Sequence, residues 1–322
     1  MRRAVLPQAP AEMQSSARSG NCIFFVIFAD MKHWLLTFAF VACVSGLSAQ
    51  EEIFPSPDAK SLGLGGLSMT VTGTSHTLYH NAAMAAFSLS PIQLSSSFYK
   101  QGEGNFYAVS GAGQFGRDNT LQIGWRQYLR AKGDTDMAVD LGYTRRIGNE
   151  WGVAVVGRYL HSKHPGSAAN ALAADLSAAW AHPLEDIGKY ATLRAGAKIA
   201  NLGGYFHAKG AALPVTAAAR AALDTFLNEA HELTVGADLG YCCTPSAMRG
   251  FTGSVGAEYN LMQLLQIRAG YHYSERTAGY PSYTSVGAGV RFLHLRLDFA
   301  YLFAKKSSLL HDTYTFSFGF DF

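Results

Sequence analysis

The chain closes on Tyr314-Thr315-Phe316-Ser317-Phe318-Gly319-Phe320-Asp321-Phe322, with an aromatic at every even position. Side chains of a β-strand alternate between two faces, so the five aromatics share one face and Thr315, Ser317, Gly319 and Asp321 share the other. Two architectures use such a strand. A soluble sheet packs the apolar face on a core and turns the other to water. A membrane β-barrel turns the apolar face to lipid and the polar face to its lumen. One strand fits both, so the rest of the chain decides.

Charged residues make up 15% of the chain, against about 25% in ordinary soluble domains. With 33 Gly, 16 Tyr and 20 Phe, the composition suits a barrel better than a cytosolic enzyme. Only one apolar run approaches the ~20 residues of a spanning helix. It is Trp34–Val44, WLLTFAFVACV, preceded by Met31-Lys32-His33 and followed by small residues up to Ala49-Gln50. A basic start, a short apolar stretch and a small-residue exit predict a secretory signal peptide that starts at Met31 and is cleaved after Ala49. The other reading of the run is a membrane anchor, for which it is short. Residues 1–49 are therefore expected to be an upstream extension plus signal peptide, set apart from the fold.

Setting those residues aside removes four basic residues and two acidic ones from totals of 26 and 23, which leaves a net charge of about +1. Such neutrality offers nothing to a nucleic-acid backbone. Cys242 and Cys243 are adjacent, match no zinc spacing and read as part of a strand end.

From Pro91 onward the chain divides into alternating segments of about ten residues. Val139, Leu141 and Tyr143 oppose Asp140 and Thr144; Leu295, Leu297, Phe299 and Tyr301 oppose Arg296 and Asp298. The segments number about 14, an even count as single-chain outer-membrane barrels require. Gly133-Asp134 and Gly148-Asn149 read as tight turns. Segments 162–169, 202–213 and 274–282 read as longer loops. The predicted fold is all-β: a transmembrane antiparallel β-barrel over residues 91–322. Residues 50–90 are rich in small residues and alternate poorly, which predicts a plug-like segment in the barrel mouth, with a disordered arm as the competing reading.

Catalytic and ligand motifs are weak. Gly63-Leu64-Gly65-Gly66 lacks the spacing of a nucleotide loop. The histidines form no metal-binding pattern, and no GxSxG stands in the chain, so a lipid-acting enzyme built from separate strands remains only a third hypothesis. No cofactor or metal is expected. The inward faces carry Arg126, Asp140, Arg158, Asp175, Arg194, Lys198, Asp238, Glu258, Arg268, Arg296 and Asp298. Both signs occur, which favours pairing across neighbouring strands over a single-sign selectivity filter.

Asp58-Ala59-Lys60-Ser61-Leu62-Gly63-Leu64-Gly65-Gly66, followed by Tyr79-His80-Asn81-Ala82-Ala83, resembles the N-terminal signature of PorV/PorQ-type proteins, relatives of the FadL-like barrels. Ala82 stands where that family has proline. Ile199-Ala200-Asn201-Leu202-Gly203-Gly204, Gly256-Ala257-Glu258-Tyr259 and Leu297-Asp298-Phe299-Ala300-Tyr301 continue the resemblance in order. It implies a 14-stranded barrel of the Bacteroidetes outer membrane, with a hatch motif at Asp58, Gly63, Gly65, Gly66 and Asn81. It also implies a non-enzymatic role in type IX secretion, as a shuttle that binds cargo C-terminal domains or as an anchor for a surface complex. Phe322 resembles the terminal signal read by the outer-membrane assembly machinery. The alternative function is passive transport of hydrophobic molecules, as in FadL-like barrels. The partners expected are outer-membrane lipid, secretion components or cargo, and the assembly machinery, without nucleic acid.

Overall fold

Alternation drives each segment into a strand whose inner face is polar or small and whose outer face is apolar. A computed structural model describes residues 56–67, 72–101, 104–130, 133–164, 167–184, 189–206, 212–275, 281–308 and 310–322. In it the strands are β1 (Ile92–Gln101), β2 (Gly104–Phe115), β3 (Asn119–Leu129), β4 (Thr135–Ile147), β5 (Trp151–His164), β6 (Ser167–Leu184) and β7 (Lys189–Phe206). They continue as β8 (Val215–Asn228), β9 (His231–Thr244), β10 (Gly250–Leu261), β11 (Leu265–Ser274), β12 (Tyr283–Phe292), β13 (Leu295–Phe303) and β14 (Thr313–Asp321). Each pairs antiparallel with its sequence neighbours, and β1 pairs with β14 to close the barrel. Closure leaves no unpaired sheet edge, the condition for crossing lipid with strands. No described helix is long and apolar enough to cross a membrane.

The closing stretch is the last strand, with Phe316 opposite both Phe98 on β1 and Phe299 on β13. Its even positions lie on the outer wall, while Thr313, Thr315, Ser317 and Asp321 are buried inside. The outer wall is largely apolar, with Leu239 70%, Ile267 65% and Leu141 62% exposed. At roughly 25 cal/mol per Å² such a surface is unfavourable in water and satisfied in hydrocarbon. Aromatic residues such as Trp151, Trp180, Tyr143 and Phe320 sit near one end of their strands, as an interfacial girdle does.

Connections after even-numbered strands are two to four residues long, whereas those after odd-numbered strands reach nine. Short turns mark the periplasmic rim of such barrels, which places the start of β1 and Phe322 at that rim. Gly133 and Gly148 adopt φ of 85° and 62° in their turns, a conformation that glycine reaches without strain. The segment 274–282 separates β11 from β12. The other two expected loops are corrected: β5 runs to His164 and β6 starts at Ser167, and β7 continues to Phe206. Beyond the lipid belt a hairpin needs no apolar face, so the alternation fades while pairing continues. Asn170 Oδ1 there accepts from Tyr159 and meets His161 Nδ1 at 2.7 Å.

The described residues before β1 fill the interior. A helix α1 (Ala59–Gly63) starts at Asp58, whose carboxylate accepts from Ser61 N at 3.0 Å. It is followed by α2 (Thr77–His80) and a 3₁₀ helix (Ala82–Phe87) capped by Asn81. The segment α1 leans on β11 to β14, and the 3₁₀ helix on β3 to β6. The signal peptide and start site expected within residues 1–49 lie outside the described residues.

Candidate functional site

A belt of charge crosses seven successive strands at mid-barrel, one residue from each: Arg126, Asp140, Arg158, Asp175, Lys198, Arg220 and Asp238, from β3 to β9. Strand register brings these residues together. Asp140 pairs opposite Arg158 on β5, and Arg220 opposite Asp238 on β9. Arg126 Nη2 donates to Asp140 Oδ2 at 3.0 Å. Arg158 forks between two carboxylates, reaching Asp140 Oδ1 at 2.5 Å and Asp175 Oδ2 at 2.9 Å. Lys198 Nζ lies 2.9 Å from the same Asp175 oxygen. Buried charges persist in this way only when paired and hydrogen-bonded.

A second cluster spans β10 to β14. Arg268 lies between Glu258, with which it forms a hydrogen-bonded ion pair, and Asp298, at 2.6 Å. Arg296 continues the chain to Asp298 and Asp321 at 3.3 and 3.5 Å. Arg194, on β7 four residues before Lys198, is ion-paired with Asp224 and donates to Thr72 Oγ1 at 2.9 Å.

The hatch is fastened to both clusters. Lys60 of α1 reaches Glu258 at 3.5 Å. Lys198 Nζ donates to Tyr79 O at 3.0 Å and Arg296 Nη1 to Gly73 O at 2.6 Å. Ser317 Oγ accepts from Ala59 N, and Ser285 Oγ from Gly65 N. Asn81 Nδ2 donates to Ala178 O on β6 at 3.2 Å. Gly63, Gly65 and Gly66 touch the wall where a side chain has no room: a Cβ on Gly63 would lie 3.1 Å from Gly287 Cα, and Gly65 would run into Tyr271 backbone.

Two histidines organise the hatch polar groups. His76 bridges Ser97 Oγ at 2.7 Å and Ser110 Oγ at 2.8 Å, and burial lowers its pKa to about 3. His80 Nε2 meets Asp58 Oδ1 at 2.5 Å. Burial alone would raise the Asp58 pKa, but the adjacent His80 and the hydrogen bond from it hold the carboxyl well below the usual range.

At Arg158 the wall itself is irregular. Pairing of β6 with β7 shifts between Ala174 and Leu176, so Ala200 and Asn201 together oppose Asp175. This is a β-bulge, a feature that bends a strand and re-aims its side chains. Asn201 holds φ at 62°. Its N–H donates to Asp175 Oδ1 at 2.8 Å, its Nδ2 to Pro214 O at 2.9 Å, and its Oδ1 accepts from Arg158 at 2.5 Å. Outside the bulge lies an apolar groove of about 560 Å³, walled by Val139, Leu141, Tyr159, Leu172 and Leu202. Inside lies a cavity of about 260 Å³ between hatch and belt, lined by both polar and apolar residues. Arg158 lines both.

Arg220, Asp224, Lys60, His76 and His80 carry this site beyond the residues singled out from the sequence. Arg220 and Asp224 stand on the inward beat of an alanine-rich segment, a signal alternation contains; the hatch residues have no such local mark. Among the described residues no cluster of His, Cys, Asp and Glu could hold a metal ion. Cys242 and Cys243 lie near the end of β9, where Cys242 Sγ donates to Thr244 O at 3.2 Å and Cys243 Sγ to Tyr241 O at 3.9 Å.

No family model matches the chain, and no curated protein matches its sequence. Solved structures do resemble it. The toluene transporter TodX of P. putida superposes with a TM-score of 0.55 at 12% identity, covering 85% of this chain and 99% of that one. The CymD monoaromatic hydrocarbon channel gives 0.54 at 11%, covering 83% and 98%. A FadL homologue of Pseudomonas aeruginosa gives 0.53 at 11%, covering 85% and 100%. The fold is that of a FadL-like outer-membrane barrel. These neighbours are channels and transporters rather than enzymes. At such low identity the likeness extends to architecture alone.

Proposed function

We propose that this barrel is a passive conduit for small hydrophobic molecules, which cross its wall at the β6–β7 bulge. The observation that carries the reading is the meeting of the membrane-facing groove with the inner cavity at Arg158. A molecule entering from above the hatch has a vestibule of mixed polarity, then an irregular wall position, then an apolar surface continuous with lipid. The hatch packs on β3 to β6 and on β11 to β14, which favours a sideways exit over an axial one. The groove is a shallow apolar depression on the outer wall, a landing surface that opens onto lipid. Monoaromatic hydrocarbons, which the TodX-like and CymD channels take, are the class to try first.

The experiment is uptake of a monoaromatic hydrocarbon into liposomes holding the purified barrel. Ala174→Trp fills the groove without touching the belt, and flux should fall to the protein-free rate. Wild-type liposomes that take up no more than protein-free ones would remove the conduit reading.

A second reading is favoured by how firmly the hatch is held. A plug tied by Lys60, Lys198 and Arg296 suits a closed barrel that displays a surface, as a PorV/PorQ-type shuttle or anchor of type IX secretion would. Deletion of the gene in its host, followed by measurement of cargo at the cell surface, distinguishes the two. Unchanged surface display, with no paralogue present, counts against secretion.

A further inference from the structure

The inner cavity has an unbalanced wall. Arg126, Arg158, Lys198 and Arg220 line it, and Asp238 is the acidic residue among its described lining. Asp140 and Asp175 belong to the belt but not to the lining, so the cavity is presented with cations. Along β3 to β9 the belt charges alternate in sign until Lys198 and Arg220, where two cations follow one another on adjacent strands. Lys198 is bound to Asp175, and Arg220 Nε lies 3.5 Å from Asp238 Oδ2. An excess of one sign around a low-dielectric space focuses the field and concentrates counter-ions.

Further polar side chains line the same space. Asn201, Ser56 and His80 line it, the last held to Asp58. Guanidinium groups bind multi-oxygen anions through paired N–H donors, and an ammonium adds a point charge. At about 260 Å³ the cavity lies below the usual volume of a drug-sized pocket and suits a compact group. We infer that this cavity is a binding site for a compact oxyanion, a phosphate or phosphate-like group seated between Lys198 and Arg220. The site goes beyond the conduit reading and does not depend on whether the wall opens to lipid.

Such a group has two sources, a free ion or the head of an amphiphile. Both are tested on the purified full-length barrel in non-ionic detergent, by calorimetric titration with inorganic phosphate and with hexyl phosphate. Saturable one-to-one binding of either probe is expected, weakened by raised salt and reduced about tenfold by Arg220→Gln. Binding of inorganic phosphate supports a free-ion site; binding of hexyl phosphate alone supports a headgroup site. Thr216→Glu provides a second variant that adds a carboxylate to the cavity wall and removes no belt member, and it should abolish binding. Heat-modifiable electrophoretic mobility establishes that each variant is a closed barrel. Absence of saturable binding of both probes to the wild type, or an affinity unchanged in both variants, overturns the proposal.

Discussion

Gly270 of β11 faces the carbonyl of Leu64 so closely that a Cβ on this glycine would overlap the Leu64 backbone. Gly256 on β10 meets the same peptide, where an added Cβ would lie 2.5 Å from Leu64 O. Hatch backbone therefore packs directly on wall backbone. Gly270→Val should undock the hatch at a cost of about 1–3 kcal/mol, as overpacking does. Limited proteolysis should then cut within residues 56–67, while heat-modifiable mobility still reports a closed barrel. A protected hatch in the variant would refute the contact.

Arg158 bridges two buried carboxylates, Asp140, which also pairs with Arg126, and Asp175, which also pairs with Lys198. Arg158→Met should destabilise the barrel by about 2–3 kcal/mol, because Asp140 and Asp175 each lose one of two cationic partners. Arg158→Lys should cost less, since the charge remains and only the fork is lost. Urea midpoints in detergent, compared at equal slope, measure both.

The docked hatch should weaken in acid. The His76 pKa falls from an ordinary 6.5 to about 3 on burial. Between these values the undocked hatch binds the extra proton, so docking is at full strength above about pH 6.5 and is lost as pH falls toward 3. The slope is at most about 1.4 kcal/mol per pH unit. Asp58 acts in the same direction only below its ordinary 3.8. Hydrogen exchange of residues 72–87 should rise across that window, and His76→Gln should flatten the response above pH 4.

Phe322 ends the chain with its N–H donating to Ile92 O at 2.9 Å and its ring against His294 and Phe320. Deleting it should lower the amount of folded barrel in the outer membrane severalfold, whereas Phe322→Tyr should restore it. Quantitative immunoblotting of membrane fractions provides the measure.

Asn201 is one of the non-glycine residues held in the left-handed region. Asn201→Ala should cost about 1–2 kcal/mol from strain and lost hydrogen bonds. Asn201→Gly keeps the conformation and loses only the bonds, so its urea midpoint should lie between those of wild type and Asn201→Ala.

Much of this structure was legible along the chain because the cause is local. Leu141 and Asp140 are adjacent, and their opposite faces follow from the two-residue repeat of a strand whatever lies beyond. The same repeat marks Arg126, Arg158 and Arg296 as inward, and the text of Tyr314–Phe322 as a lipid-facing wall. Segments 162–169 and 202–213 misled because strands that leave the lipid belt keep their hydrogen bonds and lose their pattern.

What the sequence determined by itself, then, is the barrel: alternation, strand number and the sorting of apolar from polar faces are properties of consecutive residues. The tertiary structure alone decided what the interior does. Which carboxylate Arg158 grips, where Asn201 bulges the wall, and how Leu64 meets Gly270 all depend on the register between distant segments. A shift of one residue in that register would exchange the two faces of a strand.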